Sequence, residues 1–435
     1  MKILLATHNF LPYYSGGTEI YVLHLAKFLI KNGHQITIIA AIGNTDIHSE
    51  QIIYKDDYLK IFSYLFDDLE VFGVTYNHIS TEQIYSKKSD LHKKSFISFL
   101  NESKFDLLHI NGFTATIGID LIYALKEVSP SIKIVSSFHT AISDPKETLT
   151  FANTLREQHS NVNPIADVLC YRYHVPYWLG IMLSKLLPNL YFSFLPSTFS
   201  LKYLIKQSIK SYNQLVLKTD EWWVYSNGIK DHLISIGVNP KEIIFQRHGI
   251  LPLFIGDKNN AIKPTKYLFS GRALKIKGFH TLMSAWLSLP DTDDKQLWIT
   301  GDPVATDGII AALIEKSRLR QDIKWLGILK QDQLAKVTLQ VDTVIIPSEC
   351  YEIGPLVFHE AIASGCNVIA SDIGGCNELG IFYAPQTVNF RAGDVVDLST
   401  KITSLHNIKL PKATNRPIDF DSHFEYLTNQ SNYYD

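Results

Sequence analysis

The sequence predicts an α/β protein built from two halves, each a parallel sheet covered by helices. Three observations predict it. The chain opens with an apolar run, a loop, an amphipathic helix and a second apolar run. That order with short loops feeds right-handed crossovers into a parallel sheet. A second strand–helix alternation begins near residue 265. Finally, 435 residues are too many for one ordinary core and fit two domains.

The elements follow in order. Lys2–Thr7 is apolar and β-like. Thr18–Lys31 has helical spacing, carries Glu19 in its first turn, and is closed by Asn32-Gly33, where glycine suits the left-handed cap. Gln35–Ala41 is the next strand. Asp106–Asn111 and Lys133–Phe138 read as strands that end in polar residues. Ligands of open α/β sheets sit beyond the carboxyl ends of strands, which points His109, Asn111 and His139 toward a site. In the second series Tyr267–Ser270, Gln296–Thr300, Ile323–Leu326, Thr343–Pro347 and Asn367–Ala370 read as strands. The join lies around Leu251–Pro264, where Asp257-Lys258-Asn259-Asn260 and two prolines suggest a linker. The expected domains are therefore residues 1–250 and 251–419, with an aromatic and polar tail at 420–435.

Bulk properties exclude some classes. A formal net charge of −2 offers no whole-molecule reason to bind nucleic acid. Cys170, Cys350, Cys366 and Cys376 form no C-x-x-C pair and no zinc spacing, which suits reduced thiols in a cytoplasmic protein. The N-terminus shows no signal-peptide pattern. The nearest approach to a membrane span, Val175–Leu195, is broken by Lys185 and Pro188.

The most informative stretch is Pro347-Ser-Glu-Cys-Tyr-Glu-Ile-Gly-Pro-Leu-Val-Phe-His-Glu360. A strand leads into a tight loop with Glu352, then a helix from Leu356 to Ser364 closed by Gly365. Pro355 suits the first helical position. A helix N-terminus at the end of a sheet presents free N–H groups and partial positive charge, which attract phosphate. Carboxylates beside it accept hydrogen bonds from sugar hydroxyls. That combination suits a nucleotide sugar.

This E-x7-E arrangement is followed by Ala361-Ile-Ala-Ser-Gly365, Val368-Ile-Ala-Ser-Asp372 and Ile373-Gly-Gly-Cys-Asn-Glu-Leu379. Together they resemble the donor site of retaining glycosyltransferases of family 4, which have the two-domain GT-B fold. The opening strand with Gly16-Gly17 is similar to that family's glycine loop. Phe269-Ser-Gly-Arg272 with Lys277-Gly278 is similar to its diphosphate-binding arginine and lysine. The matches run in the family's order over most of the chain, with residues 141–215 unmatched. The resemblance implies two Rossmann-like domains facing a cleft, and a nucleotide-sugar donor in the second domain. It assigns Gly16, Gly17, Arg272 and Lys277 to the diphosphate. Glu352, with Gly354, Pro355 and Leu356, goes to the donor sugar, Glu360 to the ribose, and His139 to the reaction centre. No metal or other cofactor is implied. Ile276, where the family often has an acidic residue, and Gly354-Pro355-Leu356, where many members have Phe-Gly, depart from the pattern. The second departure bears on donor identity. The family's final helix crosses back to the first domain, and residues 420–435 suit that role.

Each motif has a plainer reading beside the functional one. Gly16-Gly17 alone is an ordinary βα turn, and it is no G-x-G-x-x-G. Arg272 and Lys277 place fixed positive charge where a leaving diphosphate needs it; a solvated basic loop is the alternative. Glu378, after Gly374-Gly375, is an orienting group for the donor or part of a plain turn. His109 is also read as a core residue. Asp291-Thr-Asp293 has D-x-D spacing but reads as turn chemistry, not a metal site. Lys202, Lys206 and Lys210 share one helical face, and Lys87, Lys88, Lys93 and Lys94 form another basic cluster. Such faces contact anionic membrane or are simply solvated; the aromatic run Tyr171–Phe194 favours the membrane, with an acceptor pocket or core as its alternatives.

The sequence thus predicts a glycosyltransferase that moves a sugar to a glycan or lipid-linked acceptor, with retention and without a metal. Its expected setting is surface polysaccharide or lipid-linked glycan assembly, at the cytoplasmic face of a membrane. The rival readings are a GT-B nucleotide-sugar epimerase or phosphorylase, and a non-catalytic nucleotide-sugar-binding subunit.

Overall fold

Lys2–Thr7 forms β1, an apolar run whose last five residues are buried. In this computed structural model it lies near the centre of the first sheet. The structure describes residues 1–42, 51–77, 79–80, 88–101, 104–112, 117–137, 139, 165–166, 169, 175–192, 197–256, 264–303, 308–431 and 433–434. Cys170, Lys87, Phe138, most of the proposed linker at 257–263, and the start of the aromatic run lie outside them.

Among the described residues the first sheet has nine strands. After β1 come β2 (Gln35–Ala41), β3 (Gln51–Lys55), β4 (Leu59–Phe66), β5 (Leu69–Tyr76), β6 (Leu107–Asn111), β7 (Lys133–Ser137), β8 (Glu221–Val224) and β9 (Ile243–Phe245). Their order is β3-β4-β5-β2-β1-β6-β7-β8-β9. The pairings from β5 to β9 are parallel, whereas β3–β4 and β4–β5 are antiparallel. The sequence reading did not foresee this meander. Its turn is Asp67-Asp68, both at positive φ (54° and 64°), a tight-hairpin conformation that usually announces itself through Asn-Gly or Asp-Gly. Among the described residues six helices accompany this half: α1 (Gly17–Lys31), α2 (Asp90–Leu100), α3 (Ile119–Val128), α4 (Tyr177–Leu186), α5 (Leu201–Lys218) and α6 (Asn227–Ser235).

The second sheet has six parallel strands: β10 (Thr265–Ser270), β11 (Lys295–Thr300), β12 (Ile323–Gly327), β13 (Thr343–Ile346), β14 (Asn367–Ser371) and β15 (Thr387–Phe390). Their order, β12-β11-β10-β13-β14-β15, reverses direction beside β10, at a topological switch point. The helices are α7 (Phe279–Ser288), α8 (Gly308–Arg318), α9 (Gln331–Thr338), α10 (Leu356–Ala363), α11 (Gly374–Phe382) and α12 (Val395–Ser404). Apolar clusters cover both faces of this sheet, as a parallel sheet requires.

The last helix, α13 (Phe420–Gln430), returns to the first half. Phe420, Phe424, Leu427 and Tyr433 join the core that contains β1 and α1. Lys31 reaches Asp421 at 2.7 Å, and Ile250 pairs with Asp419 in an isolated bridge.

Candidate functional site

The loop between β13 and α10 is held from three sides. Behind it, Gly278 takes φ +65°, and a Cβ there would lie 1.7 Å from the carbonyl oxygen of Pro347, so only glycine fits. The Glu349 N–H donates to the Ile276 carbonyl at 2.9 Å. Thr281 donates to the Glu349 carboxylate, and His280 lies 3.4 Å from it. From the far side, the Gly375 N–H donates to the Glu352 carbonyl at 2.5 Å. A Cβ on Gly375 would meet that same oxygen at 2.4 Å. The Gly-Gly pair therefore clamps the Glu352 loop, and the Gly375 N–H is already spent there rather than on a phosphate.

This clamp brings Lys277 and Glu352 together. Lys277 Nζ lies 2.5 Å from Glu352 Oε1, and the Ser348 hydroxyl donates to the same oxygen at 2.8 Å. Burial would raise the Glu352 pKa, but the Lys277 charge, its hydrogen bond and that of Ser348 hold it below the ordinary value. For Lys277 burial works against the charge, and Glu352 more than compensates, so the ammonium is held above the usual lysine value. Burial and the adjacent carboxylate push the Cys350 thiol up to about 12, which leaves it protonated.

Arg272 is exposed at the end of β10. Its charge opposes that of Lys277, which places the two cations near each other. It also draws on Glu19 across the cleft: burial raises the Glu19 pKa, and Arg272 is the charge that pulls it back. Glu19 was seen in the sequence only as a first-turn acid; its place two residues after Gly17 was the available signal. Gly17 itself faces the start of α10, since a Cβ there would lie 3.6 Å from Leu356. The glycine loop of the first half and the start of α10 in the second thus meet. Below them the chain is pared to backbone: a Cβ on Gly301, at φ +124°, would strike the Gly271 carbonyl at 2.3 Å. Helix α10 starts at Leu356, with Pro355 extended (ψ 127°) just before it rather than at the first helical position.

Glu360 lies on the buried side of α10. Burial alone raises its pKa, to about 8, with no charged neighbour contributing. It therefore stands apart from the charges of Arg272 and Lys277.

His139 lies beyond the end of β7, with its ring 4.4 Å from Tyr21, 5.0 Å from Tyr225 and 5.3 Å from His248. Its Nε2 is buried with no hydrogen-bond partner. Burial, aided by His423, lowers its pKa to about 3, so the ring is neutral. His248 stacks on Tyr225 at 4.0 Å and faces His359 of α10 at 6.4 Å. His423 of α13 accepts from or donates to the Tyr21 hydroxyl at 3.2 Å. A Cβ on Gly354 would touch His248 at 3.4 Å and His359 at 3.9 Å. The small residue after Ile353 thus lets a wall of four neutral histidines back the Glu352 loop. No local pattern announced this cluster, because its four histidines come from four separated segments.

Other expectations are corrected. His109 and Asn111 are fully buried. His109 bonds Tyr433 at 2.9 Å and Ser137 at 3.0 Å, and Ser137 donates to Asn111 at 2.9 Å. The returning tail seals them, so they join tail to sheet and do not face an acceptor. The Glu378 carboxylate accepts from the Asn227 N–H at 2.8 Å and the Gly228 N–H at 2.9 Å, with Arg247 at 3.8 Å. Both oxygens cap α6 of the first half, so Glu378 ties the halves together rather than orienting a donor. Asp291 lies 3.5 Å from Arg320. Lys88 pairs with Asp90 at 2.8 Å and Lys93 with Glu127, so two of that cluster's four charges are paired.

Two Rossmann-like halves, a switch-point site and a tail that crosses back define a GT-B glycosyltransferase. Comparison with known proteins agrees: residues 15–166 match the glycosyltransferase family 4 model, and residues 254–416 match the model of glycosyl transferases group 1. This chain belongs to the group 1, family 4 type glycosyltransferases and is an enzyme of that class. It is 24% identical over 395 residues to an uncharacterised glycosyltransferase of Methanocaldococcus jannaschii, covering 89% of this chain and 86% of the relative. A Mycobacterium tuberculosis glycogen synthase shares 29% over 143 residues, 33% of this chain and 34% of that protein. Among solved structures, Anabaena HepE in complex with UDP and glucose superposes with TM-score 0.60 at 14% identity, over 99% of this chain and 98% of that one. Thermosynechococcus elongatus sucrose-phosphate synthase gives 0.59 at 16% identity, over 93% and 89%.

Proposed function

We propose that this enzyme moves a sugar from a nucleoside diphosphate to an acceptor hydroxyl with retention of anomeric configuration. The observation that carries the reading is the contact of Lys277 Nζ with Glu352 Oε1 beneath the N-terminus of α10. An ammonium has three donors, and Glu352 uses one. The remainder, with the exposed Arg272 fork and the helix N-terminus, suit the two phosphates of a donor. Gly16 and Gly17 close over them from the first half. Glu352 and the Gly354-Pro355-Leu356 turn hold the sugar, and Glu360 the ribose.

Breaking the glycosidic bond leaves charge on the diphosphate, which Arg272 and Lys277 stabilise in place, so no divalent metal is required. The neutral His139 offers its Nε2 as a hydrogen-bond partner to the donor sugar or the acceptor, not as a charged acid. The departing phosphate takes the acceptor proton. UDP is a reasonable nucleotide to try first, because HepE was solved with UDP and glucose. The acceptor is a glycan or lipid-linked glycan of surface polysaccharide assembly, at the cytoplasmic face of a membrane.

A panel of UDP-, GDP- and ADP-sugars tests this by thermal stabilisation, followed by nucleoside diphosphate release with and without acceptors. One nucleotide class should raise the unfolding temperature, and turnover should survive EDTA. No stabilisation by any member would overturn the donor site. Full loss in EDTA restored by Mn²⁺ would overturn the metal-free step.

A further inference from the structure

From residue 168 to residue 219 the chain contains no Asp or Glu, while Arg172, Lys185, Lys202, Lys206, Lys210 and Lys218 give it six cations. In a protein of net charge −2 this is a concentrated departure. Helices α4 and α5 fall within it and pack together through Leu183, Leu187, Leu201 and Ile205. Gly180 and Ser184 of α4 are buried. The opposite arc carries Trp178 (65% exposed), Met182 (55%) and Leu186 (77%), spaced four apart, with Lys185 beside them. On α5, Lys206, Lys210 and Leu217 are exposed on the side away from Leu204, Ile205 and Leu215, with the half-buried Lys202 and the exposed Ile209 at the edge of that face.

We propose that the outer faces of α4 and α5 dock this enzyme on an anionic lipid bilayer. Trp178, Met182 and Leu186 enter the headgroup boundary, and Lys185, Lys202, Lys206 and Lys210 meet the lipid charge. An apolar stripe edged by lysines, with a tryptophan at the interface, is the composition of a helix that lies in a membrane surface. The charge decides the occupant. A second copy would bring its own lysine-bearing helices against these, whereas an anionic bilayer complements them. Among the described residues no helix is long and apolar enough to cross a membrane, so the contact is a surface one. The proposal builds on the transferase reading only in naming where the acceptor is presented. It lies wholly in the first half and is tested apart from the donor site.

The test is cosedimentation of the full chain with vesicles of phosphatidylcholine alone or with about a third phosphatidylglycerol. Binding should require the anionic lipid and weaken with salt. Each lysine near such a surface contributes roughly fivefold, so the triple variant K202Q/K206Q/K210Q should bind about 100-fold more weakly. W178S/M182S/L186S should lose binding while keeping its unfolding temperature and any rise caused by nucleotide. Absence of binding by the native chain, or undiminished binding by both variants, overturns the proposal. A dimer of the native chain that W178S/M182S/L186S dissociates would show that the stripe covers a second copy, and would also overturn it. Loss of the nucleotide effect alone would count against the donor reading and not against this one.

Discussion

Lys277 and Glu352 are 75 positions apart in sequence, yet their charged atoms stand 2.5 Å apart. The pair is made by backbone: Gly278 packs on the Pro347 carbonyl, and Glu349 bonds Ile276. One cation and one carboxylate are thereby fixed at the carboxyl edge of the second sheet, at its switch point. That is the place where phosphate and sugar hydroxyls of one ligand can be held together.

Gly278 is the residue on which this geometry turns. A methyl group cannot fit 1.7 Å from an oxygen, and the left-handed backbone disfavours any side chain. Gly278→Ala should lower turnover at least about 10-fold, because even a small misplacement of reacting groups is costly. It should also lower the unfolding temperature. Native values for both would show that the Lys277 turn is not anchored as described.

Glu360 makes a pH prediction with a definite sign. In the unfolded chain its carboxyl ionises near 4.5, while in the fold burial holds the proton to about 8. The native state therefore loses stability as pH rises from about 4.5 to about 8. Glu360→Gln should be more stable than the native protein at pH 8, with the gap closing toward pH 5. If the carboxylate form binds the ribose, nucleotide binding below pH 8 should also release a proton, seen calorimetrically in buffers of different ionisation enthalpy. A gap independent of pH would contradict the assignment.

The histidine wall acts in the opposite sense. Burial is the first cause at each: it lowers His139, His359 and His423 to about 3 and holds His248 well below its usual value. The unfolded chain binds protons from about 6.5 downward before the fold can. The rings' contribution to stability is therefore complete above pH 6.5 and lost as pH falls toward 3, by up to about 1.4 kcal/mol per unit for each ring. Groups facing them include Arg247, Tyr21, Tyr225 and Tyr383. Urea midpoints should drop between pH 7 and pH 5, and less steeply in His423→Phe. A flat profile would show that the rings are not held neutral.

Glu378 predicts a mechanical effect. Its two hydrogen bonds to the N-terminus of α6 join the halves, and charged hydrogen bonds contribute about 1.5–3 kcal/mol each. Glu378→Ala should lower the unfolding temperature and slow turnover while leaving nucleotide affinity within a few-fold. Strong loss of nucleotide affinity alone would place Glu378 on the donor instead.

The donor loop was legible in the sequence because its chemistry is local. Glu352, Gly354, Pro355, Leu356 and Glu360 sit on one strand–loop–helix, and Arg272 and Lys277 follow another strand end. The alternation of apolar runs likewise gave β1, β2, β6 and β7 of the first sheet and β10 to β14 of the second. Less was legible where tertiary contact decides. The β3–β5 meander turns on Asp67-Asp68, which carries no glycine. Trp222 and Trp223 are both fully buried in β8, so no alternation marks that strand. His109 and Asn111 looked like site residues at a strand end, but Tyr433, 324 positions away from His109, covers them. Glu378 looked like a donor group, but its partners lie 150 and 151 positions back in another domain.

The central claim is that Arg272 and Lys277 carry the diphosphate. The most direct measurement is calorimetric titration of the stabilising nucleoside diphosphate into the native enzyme, Arg272→Ala and Lys277→Met, with turnover measured on each. Both variants should bind weakly, and turnover should fall on the order of 100-fold or more. Native affinity and native turnover in both would contradict the account.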